Sequence, residues 1–436
     1  MSGYLTDSIS STGSRTTFTI SAWVKVNGAT ANQTIFGAGT AGSNSGKFYF
    51  AISNGQVRIG GGANVYRVST RLFRDPASWY HLVCAFDTTQ GSDGNRIKFY
   101  VNGESYTDFS AGYNTIPSNQ NTPVNESGKI NTFGAEQGGG ESWDGYMTHM
   151  VLVDGAQLTS SNFGETDSTT GEWKPKADPT GVTYGTNGVF MKCENSGNFG
   201  LDSSGNSNNY TANSFPTGAH TTDCASNNFC TLSPLSEGAD ATLTKGNLEI
   251  SYANNTRTCS TANMGVDSGK WYWEFKVTAI SASPNPVMVG IGELPYGPDL
   301  GTYLGQNASG WGYAGEDGTV YNSGSGSAYG ATYTTGDIIG VAFDADNGNL
   351  YFYKNGTIQN SGTAAATGLT SSSTGFYYPA VGKSSGVRTF TAQANFGNPP
   401  FTIASGNADA NGFGNFEYAV PSGYYALCTN NINSYG

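Results

Sequence analysis

The chain has 436 residues, of which 12% are charged, 13% are aromatic and 62 are glycine, and its net charge at pH 7 is −12. This length allows two or three domains, and the composition favours packed strands and turns over charged surface helices. The 20 basic residues are too scattered for a nucleic-acid footprint, and no run approaches the ~18 apolar residues of a membrane span. The opening MSGYLTDSIS lacks the regions of a signal peptide, so we expect synthesis and folding in a cytoplasm.

Residues 1–165 contain several segments in which apolar and polar residues alternate. In TFTISAWVKV one face carries Phe18, Ile20, Ala22, Val24 and Val26, and the other carries Thr17, Thr19, Ser21, Trp23 and Lys25. WYHLVCAF, RIKFYVNG, KFYFAI and GYMTHMVLVDG alternate in the same way. Period-two segments separated by Gly, Asn and Asp turns, without a helical stripe, predict a β-sandwich.

The segment 166–234 is rich in Gly, Asn, Ser and Thr. Val189, Phe190 and Met191 predict one short strand within it. Five aromatic residues are scattered along the segment: Trp173, Phe199, Tyr210, Phe215 and Phe229. A flexible linker has no use for so many aromatic anchors, so we expect the segment to be ordered and draped over one or both sandwiches. A loosely tethered linker is the alternative.

Residues 235–436 repeat the pattern of the first part. In GKWYWEFKVT the alternation places Trp271, Trp273, Phe275 and Val277 inward. CAFDTTQGSDGNRIKFYVNG at 84–103 has a counterpart in VAFDADNGNLYFYKNG at 341–356, where Asn347-Gly348 within the turn Asp346-Asn347-Gly348-Asn349 is a hairpin signal. The repeated phrase predicts the same strand, hairpin and strand in each of two sandwiches, so the fold class is all-β.

These motifs resemble two known families. TISAWVKV, WYHLVCAFD, RIKFYVNG and WDGYMTHMVLVDGAQLTSSNF make residues 1–165 similar to a laminin-G-like (LamG) jelly roll of the concanavalin type. GKWYWEFKVT, VGIGE, GWGY, FYYPAV and ANFGNPPF make residues 235–436 similar to a SPRY domain. The connecting segment, 166–234, looks like the middle of LamG-plus-SPRY proteins encoded by bacteriophages, especially marine ones.

The sequence lacks the usual arrangements of catalytic residues. Retaining glycosidases of this fold need two carboxyl groups about 5 Å apart on one face. Glu165 and Asp167 come closest but lie in a turn without a third acid, and the adjacent Glu316 and Asp317 would point to opposite faces of a strand. The three histidines, His81, His149 and His220, form no catalytic triad pattern. We therefore expect a protein that is not an enzyme.

Neither a metal nor a cofactor is predicted. DADNGN at 344–349 fails as an EF-hand loop, because Gly348 and Asn355 occupy positions that need oxygen ligands from acidic side chains. The resemblance to LamG domains, some of which hold calcium at one end of the sandwich, leaves that possibility open without assigning ligands. Most of the six cysteines are expected to be buried thiols, as Cys84 is within its strand, and pairing of Cys224 with Cys230 is left open.

Aromatic loops are the main candidates for a binding site. Trp23, Trp79, Trp271, Trp273 and Trp311 lie in strand patterns that predict packing. Four tyrosines lie instead in Gly-rich loops at 293–305 and 325–334 that we expect to be exposed: Tyr296, Tyr303, Tyr329 and Tyr333. Such rings stack on sugars, and SPRY-like domains bind partners through loops at one end, although each tyrosine alone could serve the scaffold.

The resemblance implies a phage virion structural protein, exposed on the particle surface, that acts as a tail fibre or receptor-binding component. Its expected partners are other virion proteins, a host surface glycan or receptor, and further copies of itself, with a trimer as one form. Nucleic-acid binding and membrane insertion are not expected. One alternative is a capsid or tail decoration protein that binds only neighbouring subunits, which the absence of an N-terminal adapter before the first sandwich favours. The other is a polysaccharide-degrading enzyme.

Overall fold

The computed structural model describes residues 3–27, 32–43, 46–62, 64–111, 113–216, 218–236, 238, 240–253, 256–281, 285–293, 302–370, 372–384 and 388–436. The described chain is almost entirely strands and turns, which confirms the all-β fold class. It divides into two compact units, Met1–His220 and Thr221–Gly436. Across these described ranges, no helix has the length and apolar character needed to cross a membrane.

The first unit is a sandwich of two antiparallel sheets. Its elements are β1 (Tyr4–Ser8), β2 (Thr17–Val26), β3 (Gln33–Gly39), β4 (Phe48–Ser53), β5 (Gln56–Gly61), β6 (Asn64–Leu72), β7 (Tyr80–Asp87), α1 (Asp93–Arg96), β8 (Ile97–Val101), β9 (Glu104–Tyr106), β10 (Ile130–Phe133), β11 (Gly145–Asp154), β12 (Gly164–Thr166), β13 (Trp173–Pro175), β14 (Val189–Met191) and β15 (Thr211–Asn213). Seven strands form one sheet, in the order β15-β1-β10-β3-β4-β5-β6. Six form the other, in the order β14-β11-β2-β7-β8-β9, and β12 pairs with β13.

The predicted inward face of β2 does lie in the core. Its apolar residues from Phe18 to Val26 pack between the sheets, and the Phe18 ring stacks on Phe86 at 4.8 Å and meets the edge of Phe48 at 5.3 Å. The opposite face of β2 is buried as well, because later parts of the chain cover it. Thr19 Oγ1, for example, donates to the Ala156 carbonyl at 2.8 Å.

Trp173 covers His81 on this outer face. Its indole Nε1–H donates to His81 Nδ1 at 3.0 Å, so the ring carries its proton on Nε2, which lies 2.8 Å from Ser21 Oγ. The imidazole also stacks on Trp23, with ring centroids 4.7 Å apart. Both ring nitrogens of His81 are thus occupied in its neutral form, and burial lowers its pKa to about 3.

The segment that follows residue 165 completes the first unit. Its residues form β14 at one end of the six-stranded sheet and β15 at one end of the seven-stranded sheet. Val189, Phe190, Met191 and Tyr210 are all buried. We expected boundaries at 165 and 234, whereas the compact units meet at His220 and Thr221, because the two parts of the connecting segment pack into different cores.

The second unit is also a two-sheet sandwich. Its elements are β16 (Ala241–Thr244), β17 (Glu249–Tyr252), β18 (Thr258–Thr261), β19 (Lys270–Ile280), β20 (Val287–Gly292), β21 (Gly310–Ala314), β22 (Thr319–Asn322), β23 (Ser325–Ala328), β24 (Ile338–Asp344), β25 (Asn349–Lys354), β26 (Thr357–Ile358), β27 (Tyr378–Lys383), β28 (Phe390–Asn395), β29 (Tyr425–Ala426) and α2 (Thr429–Tyr435). The larger sheet has the order β16-β17-β28-β19-β24-β25-β26, with β29 parallel to β19. The smaller has the order β18-β27-β20-β21-β22-β23.

The central strand β19 is buried on both faces, as β2 is in the first unit. The predicted inward residues from Trp271 to Val277 lie in the core. On the other face the Glu274 carboxylate accepts four hydrogen bonds: from the backbone N–H groups of Glu417 (3.1 Å) and Tyr418 (2.9 Å), from Asn395 Nδ2 (3.0 Å) and from the Tyr272 hydroxyl (3.2 Å). Burial raises the pKa of Glu274 to about 7, and these donors limit the rise. This carboxyl group fixes the C-terminal segment against the sheet.

The repeated phrase performs the same structural task in both units. Asn102-Gly103 joins β8 to β9, and Asn355-Gly356 joins β25 to β26. All four residues have positive φ values between 48° and 91°, as two-residue hairpin turns of type I′ require. The side-chain oxygen of Asn102 also accepts the backbone N–H of His81, near the start of β7, at 2.8 Å. In the same way the side-chain oxygen of Asn355 accepts the backbone N–H of Ile338, at the start of β24, at 2.8 Å. Asn-Gly therefore closes the hairpin and fixes its neighbouring strand.

We expect a fragment ending at residue 220 to fold more stably than one ending at residue 165. The shorter fragment loses the buried side chains of Val189, Phe190, Met191 and Tyr210, together worth at least about 6 kcal/mol of burial, which is comparable with the whole stability of a small domain. Thermal unfolding followed by circular dichroism should show a cooperative transition for residues 1–220. For residues 1–165 it should show a transition at a much lower temperature, or no cooperative transition. Equal transition temperatures would contradict the role given to β14 and β15.

Acid should destabilise the first unit through His81, which is buried, and His149, which is partly buried. Burial lowers the pKa of His81 to about 3, and burial together with the charge of Lys192 lowers that of His149 to about 4, whereas both titrate near 6.5 in the unfolded chain. The stabilisation is complete above pH 6.5 and is lost as the pH falls towards 4, because the unfolded chain binds protons that the folded unit does not.

Each of these histidines contributes a slope of up to about 1.4 kcal/mol per pH unit in that window. Urea unfolding at a series of pH values should therefore give a shallower pH dependence for His81→Gln, whatever its absolute stability. His220→Gln is the control, since His220 is exposed. An unchanged slope for His81→Gln would show that His81 does not remain neutral in the folded unit.

Candidate functional site

The three described tyrosines of the predicted binding site do not come together. Tyr296 lies outside the described residues. Tyr303 lies before β21, in a turn that is closed by the Gln306 N–H donating to the Tyr303 carbonyl at 2.9 Å. Tyr329 and Tyr333 lie beyond the other end of β21, where their backbone N–H groups donate to the carbonyls of Gly318 and Gly315.

The expectation that Tyr329 and Tyr333 are exposed is wrong. Their exposed fractions are 9% and 2%, because the chain turns inward after β23 and fills the gap between the two sheets. The Tyr333 hydroxyl lies 2.7 Å from the Tyr313 carbonyl and 3.0 Å from that of Val287, and the Tyr329 hydroxyl donates to the Thr363 carbonyl at 3.1 Å. Burial raises the pKa of Tyr329 to about 12 and that of Tyr333 further. Both residues belong to the core.

Tyr303 is half-buried on the outer face of the six-stranded sheet. Its ring meets the edge of Tyr321 at 5.8 Å, and the Arg257 guanidinium lies 5.3 Å from its centroid. Tyr321 is held in turn by Asp317, whose carboxylate accepts its hydroxyl at 2.8 Å, and this bond contributes most to a rise in the pKa of Tyr321 to about 12. Of the three predicted tyrosines that the structure describes, Tyr303 is the one with an accessible ring.

A different group of residues forms a candidate binding surface at one end of the second unit. The last residue of β20, Gly292, pairs with both the first residue of β21, Gly310, and the first residue of β27, Tyr378. We define the end surface by five residues in or next to this row and in the chain before β27: Glu293, Trp311, Ser373, Phe376 and Tyr378. Three strand ends and the chain before β27 thus converge on one region.

The end surface combines exposed aromatic rings with a fixed carboxylate. Phe376 is 43% exposed, and the half-buried Trp311 packs edge-on against Tyr377 at 5.9 Å. Glu293 is only 7% exposed, and its Oε2 accepts the backbone N–H of Ser373 at 3.0 Å and the hydroxyl of the same serine. Burial raises the pKa of Tyr377, and the nearby Glu293 charge adds to the rise. This arrangement can bind another molecule through ring faces and hydroxyl groups.

The residues weighed earlier as catalytic have structural partners. Asp167 accepts Lys174 Nζ at 2.7 Å and the backbone N–H groups of Thr169 and Thr170, and these bonds hold its pKa below the usual range. Glu316 lies 3.6 Å from the Arg388 guanidinium, and Asp317 binds Tyr321. Among the described residues, the partners of Asp167, Glu316 and Asp317 are cations, backbone amides or a tyrosine, and none of them is the carboxyl group of another of these acids.

The candidate metal loop is a hydrogen-bonded turn, and the candidate disulfide is not formed. Asp344, at the start of DADNGN, accepts the backbone N–H and the side-chain amide of Asn347 and pairs with Lys270 at 2.9 Å, so its carboxylate closes a turn. The described residues contain no group of three or more His, Cys, Asp or Glu side chains arranged to hold a metal ion. Cys224 and Cys230 are both free thiols, and Cys230 is buried.

Sequence reasoning missed the end surface for identifiable reasons. Trp311 was assigned to packing from its strand pattern, and it does contact the core, but it also reaches the end of the sandwich. Phe376 lies in SSSTGFYYPA, where a Ser- and Gly-rich run gives way to three consecutive aromatic residues. That junction is the signal available in the sequence, since it places an aromatic ring at the point where a loop enters a strand.

Comparisons with known proteins identify two domain types. Residues 270–398 match the SPRY domain, and residues 2–162 match the concanavalin A-like lectin/glucanases superfamily. Ran-binding protein 9 of Xenopus tropicalis is 32% identical over 169 residues, which are 37% of this chain and 29% of that protein. The human Ran-binding protein 9 is 30% identical over 37% of this chain and 22% of its own length.

The crystal structure of the SPRY domain of human HERC1 aligns with 18% identity and a TM-score of 0.32, over 37% of this chain and 96% of that one. The present chain spans less than a third of the length of the Ran-binding proteins it matches. It contains a concanavalin-like, LamG-type domain followed by a SPRY domain.

Replacing Tyr333 should destabilise the second unit. Tyr333→Ala removes a fully packed ring and should cost about 3–5 kcal/mol in urea unfolding, as aromatic truncations in cores do. Ile358→Ala is the control, because Ile358 is 38% exposed on β26 and its loss should cost no more than about 0.5 kcal/mol. If the two variants were equally stable, Tyr333 would be an exposed loop residue, as first expected from the sequence.

Proposed function

We propose that this protein is a non-enzymatic recognition component of a bacteriophage virion, which contacts the host surface through the end surface of its second unit. The observation that carries the binding role is the exposed Phe376 ring, which follows by three residues the serine that bonds the Glu293 carboxylate. An exposed aromatic ring bordered by fixed polar groups is typical of residues that anchor a partner. The virion assignment rests on the order of the two domains and on the resemblance of residues 166–234.

The comparisons support binding over catalysis in a general way. Both matched domain types are non-enzymatic in most of their occurrences, and the relatives that cover part of this chain are named as Ran-binding proteins. Among the described acids, Asp167, Glu316 and Asp317 are each held by a cation or a tyrosine within the same unit. These observations together support a binding role for the second unit.

A second candidate is a decoration protein that binds only neighbouring virion subunits. The exposed Phe376 and half-buried Trp311 favour this alternative, because aromatic residues dominate protein–protein contacts as readily as they stack on sugars. The two candidates differ in the partner and in the position on the particle, so one set of measurements separates them.

Replacing Phe376 should weaken binding without unfolding the protein. Labelled full-length protein is incubated with a panel of marine bacterial cells and, separately, with phage particles that lack it. Phe376→Ala should reduce the bound fraction about tenfold, since truncating a central aromatic contact costs about 1–2 kcal/mol. Leu72→Ala, a residue of the first unit with a matched exposure of 41%, should bind as the native protein does.

Both variants are compared at matched thermal stability, and antibody labelling of particles gives the position on the virion. Cell binding that Phe376→Ala leaves unchanged would remove the end surface as the attachment site. Binding to particles alone, with label spread over the capsid, would replace the attachment proposal by the decoration role.

A further inference from the structure

Within the end surface, Glu293 is a largely buried carboxylate with few partners. It is only 7% exposed, and both of its side-chain hydrogen bonds come from Ser373 and reach one oxygen, Oε2. Among the described residues, Oε1 accepts no hydrogen bond, and no cation forms an ion pair with Glu293. Every Lys, Arg and His of the chain lies within the described residues. No side chain of the protein therefore serves as the counter-ion of this carboxylate.

Glu274, in the same unit, is a buried carboxylate whose hydrogen bonds are complete. Its Oε1 accepts the Tyr272 hydroxyl and a backbone N–H, and its Oε2 accepts Asn395 Nδ2 and a second backbone N–H. Glu274 is fully buried, whereas Glu293 keeps a small exposed fraction. Burying a charge without enough donors or a cation costs free energy. A carboxylate that has one oxygen unbonded and still reaches the surface is therefore suited to a cation supplied by another molecule.

The ladder between β20 and β21 places an aromatic ring next to this carboxylate. Antiparallel pairing continues one step past β20, because the Glu293 N–H donates to the Ser309 carbonyl at 2.9 Å. Glu293 therefore lies on the same face of the sheet as Ile291, which is directly opposite Trp311. Glu293 and Trp311 are thus diagonal neighbours on two paired strands, at a spacing that long and aromatic side chains can bridge.

Tyr377 is a second aromatic residue near Glu293. Burial raises the pKa of Tyr377, and the Glu293 charge adds to the rise, so the hydroxyl lies within electrostatic range of the carboxylate. The Tyr377 ring is edge-on to Trp311, with centroids 5.9 Å apart. Trp311 is half-buried and leaves part of its ring accessible. The faces of aromatic rings attract cations, and Trp does so most strongly. The carboxylate and the rings therefore favour the same kind of ligand.

The hydrogen bonds that Glu293 already accepts discriminate between cations. A guanidinium pairs best with both oxygens of a carboxylate at once, but Ser373 already occupies Oε2 with its backbone N–H and its hydroxyl. A primary ammonium is a compact charge that needs only one oxygen, and Oε1 supplies it. The net charge of −12 adds a long-range attraction for basic partners.

We propose that Glu293, Trp311 and Tyr377 form a binding site for a primary ammonium group, carried by a lysine side chain of a partner protein. Lysine is the residue that presents this group on protein surfaces, and the exposed Phe376 of the end surface suits the apolar contacts of a protein partner. The inference rests on the proposed function, because it names the chemistry that the end surface recognises. A glycan with free amino groups is the other source of an ammonium, and the experiment separates the two.

Fluorescence anisotropy with the full-length protein tests the site against four labelled probes. These are a lysine oligopeptide, the same peptide with acetylated side chains, an arginine oligopeptide and an oligosaccharide of glucosamine. We expect the lysine oligopeptide to bind most tightly. If no probe binds, or if the arginine or acetylated peptide binds at least as tightly, the ammonium assignment is wrong. If the glucosamine oligosaccharide binds at least as tightly as the lysine peptide, the assignment to a protein partner is wrong.

Glu293→Gln removes the charge and keeps an oxygen that Ser373 can bond. We expect it to bind the lysine oligopeptide at least about tenfold more weakly, as the loss of a partner in a buried charge pair does. Glu104→Gln is the matched control, because it changes the net charge equally at an exposed residue of the first unit, and its affinity should stay within about twofold of the native value. Equal losses in the two variants would reveal a general attraction to an acidic protein and overturn the proposal.

Trp311→Phe tests the site independently of the stability of Glu293→Gln. It keeps an aromatic ring in the packing and should weaken binding of the lysine oligopeptide about threefold, since Phe attracts a cation less strongly than Trp does. Thermal unfolding verifies that each variant is folded. Unchanged affinity in a folded Trp311→Phe variant would overturn the role given to this ring.

Cell binding separates this inference from the proposed function. If the end surface is the attachment site but binds no ammonium group, Phe376→Ala loses cell binding while Glu293→Gln keeps it. If the ammonium site exists but the end surface is not the attachment site, Glu293→Gln loses the lysine oligopeptide while both variants keep cell binding. The two failures therefore give different patterns.

Discussion

Burial of the central strand on both faces is the constraint on which each unit depends. A two-sheet sandwich normally covers one face of a strand with the opposing sheet and leaves the other face in water. In this protein residues that follow β11 in the chain, such as Ala156 and Trp173, cover the second face of β2. The C-terminal segment covers the second face of β19. The polar side chains on those faces must therefore find partners within the protein.

In each unit one ionisable group supplies several of these partners. In the first unit the neutral imidazole of His81 links Ser21 to Trp173. In the second the Glu274 carboxylate accepts four hydrogen bonds, one from its own strand and three from two other parts of the chain. Irregular segments without regular hydrogen-bond ladders are thereby fixed in place. This explains why a chain so rich in glycine and asparagine can form ordered structure across the segment that we first regarded as a connection.

The surfaces available for recognition are a consequence of that covering. Segments that pack across the sheets leave the ends and edges of the sandwiches as the accessible regions, and the end surface lies there. It offers an exposed aromatic ring in the segment whose serine fixes a largely buried carboxylate.

The sequence by itself determined the fold class, the inward residues of β2 and β19 and the hairpin between β24 and β25, because alternation and turn chemistry are local properties of the chain. It did not determine which tyrosines are exposed. Tyr329 and Tyr333 lie in a Gly-rich stretch that is typical of a surface loop, yet they fill the gap between two sheets, and that gap exists only once the sheets have packed. The end surface also depends on residues far apart in sequence, such as Glu293 with Ser373. Only the tertiary structure decides such pairings, since they arise from strand order and register and not from any local pattern.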